Sequence, residues 1–302
     1  LAQMVAMQQE MIRLQQGQSQ GSVQPQNQVQ SQSQTQSRQQ PIVPSEVQPQ
    51  NQVQPEYSST ITESDNKLFI NVNGVSFTMI EVEGGTFTMG ENSEQGGDAL
   101  DSEKPSHSVT LSTYYMGETE VTQALWMAVM GDNPSFFSKG GEYPVEQVSW
   151  DDCETFVNKL NRLLSSQLGG KQFALPTEAQ WEYAARGGKK SEGYKYSGSY
   201  SISAVAWYKD NSGGTSHPVK TKQVNELGLY DMSGNVWEWC QDWYGSYSSS
   251  SQTNPQGPNS GSERVRRGGG WGYQARWCRV LYRYCNAPSY SRYDIGLRLC
   301  LQ

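Results

Sequence analysis

Apolar side chains in the first sixteen residues follow a helical spacing. Met4, Met7, Met11 and Leu14 recur at intervals of three and four residues, which places them along one side of a helix. This seam is about two heptads long, whereas about three or four heptads are needed to indicate a coiled coil. We therefore predict a short amphipathic helix over residues 1–16, either frayed or the end of a longer assembly helix.

Residues 17–66 are rich in Gln, Ser, Pro and Asn and contain few large apolar side chains. Such a composition cannot bury enough apolar surface to offset the entropy lost on ordering. We predict a flexible tether over residues 17–66 and expect the ordered domain to begin near Lys67.

Short apolar runs bounded by turn residues follow the tether. Residues 68–70 and 75–82 predict two strands, and the run 84–90 predicts a strand or hairpin between glycines. Two more runs, 109–111 and 114–116, predict another pair of strands.

Two of three predicted helices precede the middle of the domain. Residues 121–130 predict a short helix. Ser149 or Asp151 can cap a longer one. Its apolar stripe is formed by Phe156, Val157, Leu160, Leu163 and Leu164.

The third helix has clear signals at both ends. Thr177 is in the N-cap position, and Gln180 three residues later completes a capping box. Gly187 is placed to end this helix. The inner face is predicted to comprise Trp181, Ala184 and Ala185.

No helical period continues beyond Gly188, where Gly, Asn, Ser and Trp separate short strands and long loops. A body with so little regular structure needs large aromatic side chains to hold it together. The chain supplies nine Trp and 17 Tyr. We predict an α+β domain over residues 67–302.

The segment 264–302 differs from the rest of the chain in charge and aromatic content. It contains eight arginines, five tyrosines, two tryptophans and a single acidic residue, Asp294. The net charge of −7 is therefore the sum of +7 in this segment and −14 in the remainder. A field polarised in this way orients partners but does not determine a fold.

Several classes of chemistry lack their usual residues. The five cysteines include no CxxC pair, so their spacing indicates neither a disulfide framework nor a zinc site. Neither His107 nor His217 accompanies a nucleophile elbow, and we expect both in surface or turn positions. No apolar run approaches the roughly 18 residues of a membrane span. Because the sequence starts at Leu1, membrane attachment is expected only through an N-terminal signal or lipid anchor that has been removed.

Seven motifs occur in order between residue 84 and residue 269. Together they resemble the sulfatase-modifying, formylglycine-generating enzyme family, a branch of the C-type lectin fold. The motifs are GGTFTMG (84–90), ETEVT (118–122), PVEQVSW (144–150), LPTEAQWE (175–182), NELGLYDM (225–232), GNVWEW (234–239) and RGG (267–269).

If the chain were an enzyme of this family, the resemblance would place two copper-binding cysteines in its final segment. Formylglycine-generating enzymes bind copper and activate oxygen with two cysteines in the final segment. Aligned from the double glycine, the second cysteine falls on Cys278, but the first falls on Tyr273. A two-thiolate copper site needs both soft ligands, and Cys285 and Cys300 lie too far along the chain to replace the missing one.

A second resemblance covers the C-terminal segment. Its spacing is similar to the fixed framework of variable proteins of diversity-generating retroelements, in which a reverse transcriptase randomises chosen codons to create a ligand-binding surface. The matching positions are Trp271, Ala275, Cys278, Arg279, Arg283, Pro288, Arg292 and 295–299.

The residues between these framework positions show neither strand alternation nor a set of acid, base or metal groups. Tyrosine supplies large contact area at low cost in side-chain entropy, and Tyr, Trp and Arg are favoured in binding hot spots. The alternative is that these tyrosines only cover a loop-rich surface. We predict a hypervariable ligand-binding surface formed by Gly272, Tyr273, Trp277, Leu281, Tyr282, Tyr284, Cys285, Ala287, Tyr290, Tyr293 and Asp294.

A basic and aromatic segment is also typical of single-stranded nucleic-acid binding. Most arginines here occupy framework positions, however, and the segment has no lysine. We therefore expect no nucleic-acid partner.

The motif 234–239 resembles a place where the enzyme family holds calcium, and oxygen ligands suit that ion. Asn235 and Glu238 are its candidate ligands, and a Glu paired with an Arg is an equally good alternative. No cofactor is required by the rest of the sequence.

Together these patterns predict a C-type lectin-like domain over residues 67–302 that displays a variable segment, 264–302, at the end of a tether. The expected function is recognition of a protein or glycan on another surface, without catalysis. The alternative is an oxidase of the formylglycine-generating type. The expected location is the cell surface or extracellular space, including a lipoprotein, or the tip of a phage particle. We expect Tyr282 and Tyr284 to be exposed and replaceable by Ala with little change in melting temperature.

Overall fold

The computed structural model describes residues 59–92 and 97–302. The predicted helix over residues 1–16 and most of the predicted tether lie outside the described residues. The end of the predicted tether is wrong, because Thr60–Ser64 forms a strand that pairs antiparallel with Lys67–Val72. Asp65 and Asn66 connect the two strands with positive φ angles of 50° and 62°, as a tight hairpin turn requires.

Strands and helices alternate with long loops in the described residues. The helices are α1 (Gln123–Met130), α2 (Trp150–Leu164), α3 (Glu178–Ala185) and α4 (Ile202–Val205). The strands are β1 (Thr60–Ser64), β2 (Lys67–Val72), β3 (Val75–Val82), β4 (Gly85–Met89), β5 (His107–Leu111), β6 (Tyr114–Gly117), β7 (Phe173–Ala174), β8 (Trp237–Trp243), β9 (Gln252–Thr253), β10 (Arg264–Arg267), β11 (Arg283–Asn286), β12 (Ile295–Leu297) and β13 (Cys300–Leu301). This mixture confirms the α+β class.

The strands form three sheets in the described part of the chain. The largest has the order β1-β2-β3-β6-β13-β7, and the second has the order β11-β10-β8-β12. The third has the order β4-β5-β9. The C-terminal segment supplies β10 to β13, so it contributes strands to two different sheets.

The predicted pairing of residues 109–111 with 114–116 is wrong. Strand β5 pairs with β4 and β9, whereas β6 pairs with β3 and β13 in the largest sheet. All four residues of β6 are buried. The apolar pattern predicts a strand, but pairing depends on which surfaces pack together, so short spacing alone does not produce a hairpin.

The capping signals predicted the helix starts well. The Ser149 hydroxyl accepts a hydrogen bond from the Asp152 N–H, so Ser149 and not Asp151 caps α2. Thr177 and Gln180 form the predicted capping box of α3. The predicted stripe of α2 is correct except for Leu163, which is 42 % exposed.

Helix α3 is buried on every side, not only on the predicted inner face. It lies against β4, β8 and β10, so its polar residues also face the interior. Glu178 and Glu182 are therefore placed to pair with buried arginine side chains.

The core consists of two large apolar clusters, and the C-terminal segment enters both. One contains α1, α2 and the largest sheet together with Tyr282, Ile295 and Leu297. The other surrounds α3 and contains Val280 and Leu281. The segment predicted to display a ligand-binding surface is thus also part of the core.

In the regions that the structure describes, we find no helix long and apolar enough to cross a membrane.

Candidate ligand-binding surface

The C-terminal segment makes a loop between two neighbouring strands. It leaves β10 at Gly268 and Gly269, whose φ angles are 91° and 76°, and it returns as β11 beside β10. A Cβ atom on Gly269 would lie 2.7 Å from the Cys278 sulfur. Glycine at this position therefore permits both the left-handed turn and the close approach of the returning chain.

Arg267 fastens the start of this loop to helix α3. Its guanidinium donates to Glu178 at 3.0 Å and to Glu182 at 2.6 Å. It also donates to the carbonyl oxygens of Val280 and Leu281, at 2.9 and 3.2 Å. One buried side chain therefore joins β10, α3 and the returning loop.

Three more arginines of the segment form buried ion pairs. Burial favours the neutral form of Glu178, but Arg283 and Arg267 hold the pKa of this carboxyl below its usual value. Removal of one partner from such a buried pair is strongly destabilising. The pairs are Arg279–Glu103 at 2.7 Å, Arg283–Glu178 at 2.6 Å and Arg298–Glu238 at 2.7 Å. We call these pairs and Arg267 the arginine frame.

Arg292, the remaining framework arginine, lies nearer the surface. It donates to the hydroxyls of Tyr273 at 3.1 Å and Tyr293 at 2.9 Å, and its Nε lies 3.5 Å from Asp294 Oδ1. It therefore links two aromatic side chains through their hydroxyls.

Aromatic rings cluster on both sides of Arg292. The first group surrounds Trp237. The centroid of the Trp237 ring lies 5.2 Å from that of Tyr273, 5.8 Å from that of Tyr282 and 6.3 Å from that of Tyr284. Trp277 packs on Tyr282 at 4.6 Å. We call the two groups together the aromatic surface.

The second group surrounds Tyr293. Its ring lies 5.6 Å from Trp271, 6.3 Å from Phe137 and 5.9 Å from Phe136. Because Arg292 binds both Tyr273 and Tyr293, the two groups are connected through one side chain.

The eleven predicted ligand-binding residues divide by burial. Gly272, Tyr284, Ala287 and Tyr290 are exposed. The half-buried residues are Tyr273, Trp277, Cys285 and Tyr293. These eight lie where a ligand can reach them.

The other three predicted residues are buried, and the expectation of exposure is wrong for them. Leu281 is in the core around α3. Tyr282 is only 6 % exposed and packs against the rings of Trp237 and Trp277. Asp294 is buried beside Arg292. Their side chains support the surface from below and do not reach solvent in this conformation.

Phe136 and Phe137 were missed because they lie far from the C-terminal segment in sequence. Phe136 is 48 % exposed. The Glu146 carboxylate accepts the backbone N–H groups of both phenylalanines, at 3.1 and 2.7 Å, and burial raises its pKa to about 7. Two adjacent aromatic residues in the polar loop after α1 were the available signal.

Beneath the aromatic surface, several buried polar atoms have no hydrogen-bond partner. They include Arg266 Nε and Nη1, Trp237 Nε1 and Asp294 Oδ1. The Arg266 guanidinium carbon lies 4.5 Å from the centre of the Trp237 ring and 5.0 Å from that of Tyr284. Three unpartnered donors, on the packed side chains of Arg266 and Trp237, therefore lie under this part of the surface.

The predicted calcium ligands do not fit a calcium site. Both Glu238 oxygens accept from Arg298, and one also accepts from Trp181 Nε1 at 2.6 Å. The Asn235 amide donates to Glu120 at 2.7 Å, and its oxygen accepts from the His217 N–H at 3.0 Å. The alternative of a Glu paired with an Arg is what the structure shows.

The residues that would hold copper do not fit that ion either. Cys278 is buried, and burial raises the pKa of its thiol to about 12. The position of the first cysteine carries Tyr273, whose hydroxyl binds Arg292. Copper binding favours thiolate ligands, and this environment favours the neutral thiol.

Comparisons with known proteins agree with the two resemblances drawn from the motifs. The family model of the sulfatase-modifying factor enzyme 1-like domain matches residues 71–302. Variable protein 1 of Treponema denticola has a similar solved structure, with a TM-score of 0.71 and 35 % sequence identity. That match covers 78 % of this chain and 99 % of the other. The C-type lectin-like fold of the formylglycine-generating type is confirmed.

Two curated relatives with similar sequences carry names that describe different functions. Chaperone protein LppX of Paenibacillus barcinonensis is 35 % identical over 253 residues, which cover 69 % of this chain and 83 % of that protein. The formylglycine-generating enzyme of Streptomyces coelicolor is 29 % identical over 287 residues, which cover 72 % of this chain and 87 % of the enzyme.

Proposed function

The chain belongs to the family of sulfatase-modifying factor enzyme 1-like domains, and from this premise we propose that it is a ligand-binding variable protein without catalytic activity. The observation that carries the proposal is the separation of two sets of residues in one segment. The arginine frame fixes the backbone, whereas eight predicted positions lie at the surface between the frame residues. The surface can therefore vary while the frame holds the fold.

The chemistry of the aromatic surface supports recognition of a macromolecule. Tyr273, Tyr284 and Tyr293 offer large amphipathic areas whose ordering is partly complete before binding, because their rings already pack on Trp237 and Trp271. Preordered tyrosines lose little side-chain entropy on binding. Small neighbours such as Gly272 and Ala287 leave room for a partner.

The donor set argues against the copper oxidase of the formylglycine-generating type. A buried, protonated Cys278 and a tyrosine at the partner position leave no pair of thiolates in this segment. The relationship to formylglycine-generating enzymes nevertheless makes this the second candidate function.

The arginines offer little to a nucleic acid. Arg267, Arg279, Arg283 and Arg298 are buried in ion pairs, and among the segment's eight arginines only Arg276 is exposed. Phosphate binding depends on accessible cations and falls steeply with salt. We therefore propose a protein or glycan ligand on another surface, with the domain displayed on a cell surface or a phage particle.

Sequencing the same locus and its flanking DNA from many isolates tests the proposal. We expect substitutions concentrated at the eight surface positions, together with a near-copy of the segment and a reverse-transcriptase gene nearby. Variation spread evenly over the domain, with no template copy, would contradict the variable-protein assignment.

A direct assay separates the two candidate functions. The purified chain is incubated with copper and a cysteine-containing peptide, and oxygen uptake is measured beside a Cys278→Ser variant. We expect no difference between the two proteins. Uptake that depends on Cys278 would favour the oxidase.

A further inference from the structure

An arginine beneath the aromatic surface is buried without a full set of hydrogen bonds. Arg266 is 4 % exposed, and its Nε and Nη1 atoms have no partner. Trp237 Nε1, in the ring against which this guanidinium packs, also has none. Buried polar groups without partners are uncommon in folded proteins, and each calls for an explanation.

The nearby acceptors do not meet this demand. Within residues 264–302 the only acidic side chain is Asp294, which lies beside Arg292 and also attracts the Arg266 charge, but it forms no hydrogen bond with Arg266 Nε or Nη1. The Tyr273 side chain hydrogen-bonds the Arg266 guanidinium but leaves its Nε and Nη1 unpartnered. Three donor atoms on two side chains therefore lack an acceptor, so the site is complementary to a group that has acceptors and a negative charge.

We propose that the partner of the aromatic surface is a protein that presents an Asp or Glu side chain, and that its carboxylate binds Arg266 and Trp237 Nε1. This inference rests on the proposed ligand-binding function. Two carboxylate oxygens match the guanidinium and indole donors, and charge-assisted hydrogen bonds are about twice as strong as neutral ones. Arginine and tryptophan are also frequent anchors in protein interfaces.

Tyr284 covers the route to these donors. Its ring packs over the Arg266 guanidinium at 5.0 Å, and the residue is 46 % exposed. Because Tyr284 is outside the core, we expect rotation of its side chain to uncover Arg266 at the loss of its ring contact with Tyr282, whose centroid lies 6.4 Å away. The displaced phenol ring then packs against the partner's apolar surface.

The test begins with selection of a phage-displayed random peptide library on the full chain. We expect the selected peptides to be enriched in Asp or Glu next to apolar residues. Synthetic peptides that carry the acidic residue, and matched versions with Gln or Asn in its place, are then compared by calorimetry. The neutral versions should bind about tenfold more weakly or worse, as expected for loss of one charge-assisted contact.

Two protein variants assign the effect to Arg266. Arg266→Gln should weaken binding of the acidic peptide about tenfold but leave binding of the neutral peptide unchanged. Arg162→Gln, which removes an exposed arginine at the end of α2, is the matched control and should change binding less than about twofold. Equal losses in both variants would overturn the assignment.

Thermal unfolding distinguishes an anchor from a structural residue. Since Arg266 makes few hydrogen bonds in the free protein, Arg266→Gln should leave the melting temperature unchanged or raised. A marked fall in melting temperature, with peptide affinity retained, would show a structural role and overturn the proposal.

The outcomes separate this inference from the function on which it rests. One outcome is that selected peptides require Tyr284 for binding, contain no acidic residue and bind equally well to Arg266→Gln. Such peptides would overturn only the proposed role of a partner carboxylate. Selection that yields no peptide dependent on Tyr284 would contradict the ligand-binding surface itself. Binding of sialylated glycans in place of every acidic peptide would overturn the protein partner.

Discussion

Arg266 and Arg267 are neighbours in β10, and they face opposite sides of the sheet with opposite surroundings. Arg267 makes four hydrogen bonds to carboxylates and carbonyls around α3. Arg266 lies between the rings of Trp237 and Tyr284 and has two nitrogens without partners. On one side of the strand both terminal nitrogens of the guanidinium are bound and only Arg267 Nε lacks a partner, whereas on the other side Nε and Nη1 of Arg266 both lack one.

Under the proposed function, this difference separates residues for stability from residues for recognition within one short segment. The arginine frame gains its contacts when the chain folds, so its residues cannot change without loss of stability. The exposed members of the aromatic surface, such as Tyr284 and Phe136, lie outside that frame, so they can change at lower cost. Proteins commonly carry such unsatisfied groups at functional sites.

Replacement of Arg267 should have the largest effect on this arrangement. Arg267→Gln leaves Glu182 and Glu178 with fewer buried partners, and we expect a loss of about 3–5 kcal/mol in the free energy of unfolding. Urea denaturation measures it, with the exposed Arg276→Gln as a control that should remain within about 0.5 kcal/mol. Similar small losses in both variants would mean that the frame does not stabilise the fold.

Tyr282→Ala should come next, because Tyr282 belongs to the core and not to the exposed part of the surface. Removal of its ring from the contacts with Trp237 and Trp277 leaves a cavity, and we expect a loss of about 3 kcal/mol. Urea denaturation again gives the value. A loss below about 1 kcal/mol would place Tyr282 with the exposed tyrosines, as the sequence had predicted.

The pH dependence of stability distinguishes Glu178, a carboxylate of the arginine frame, from its neighbour Asp242. Arginines lower the pKa of Glu178, whereas burial, with a contribution from the Glu178 charge, raises the pKa of Asp242 to about 7. An Asp in the unfolded chain titrates near about 4. A carboxyl with a higher pKa in the folded state contributes stability that is complete below about pH 4 and is lost as the pH rises to about 7.

We therefore expect the protein to be less stable at pH 8 than at pH 5. Asp242→Asn keeps an oxygen to accept the Glu178 N–H but removes the ionisation, so it should reduce this difference by on the order of 1–2 kcal/mol. Glu146 and Asp231, with pKa values raised to about 7 and about 6, should maintain the remainder. An unchanged difference in the variant would show that Asp242 does not contribute.

The smallest effect on stability is expected at the exposed tyrosines. Tyr284→Ala combined with Tyr290→Ala should change the free energy of unfolding by less than about 1 kcal/mol, because both side chains extend into solvent. The same double variant should lose binding of peptides selected on the parent chain by about tenfold or more. Loss of folding would place these residues in the frame.

Sequence patterns predicted the local elements because their causes are local. The hydroxyls of Ser149 and Thr177 cap helices within three residues of their own positions. The prediction failed where long-range packing decides, as when β5 and β6 join different sheets. Tyr282 and Tyr284 are only two positions apart, yet one is in the core and the other is exposed.

By itself the sequence determined the class of the domain, its helix caps, its family and the segment that carries the surface. These follow from short-range hydrogen bonds, apolar periodicity and ordered motifs. Only the tertiary structure decided which polar groups find partners. Arg267 finds carboxylates on a helix some 85 residues earlier in the chain, whereas its neighbour Arg266 does not. Satisfaction of a buried charge depends on groups that the fold brings together, and no local pattern specifies them.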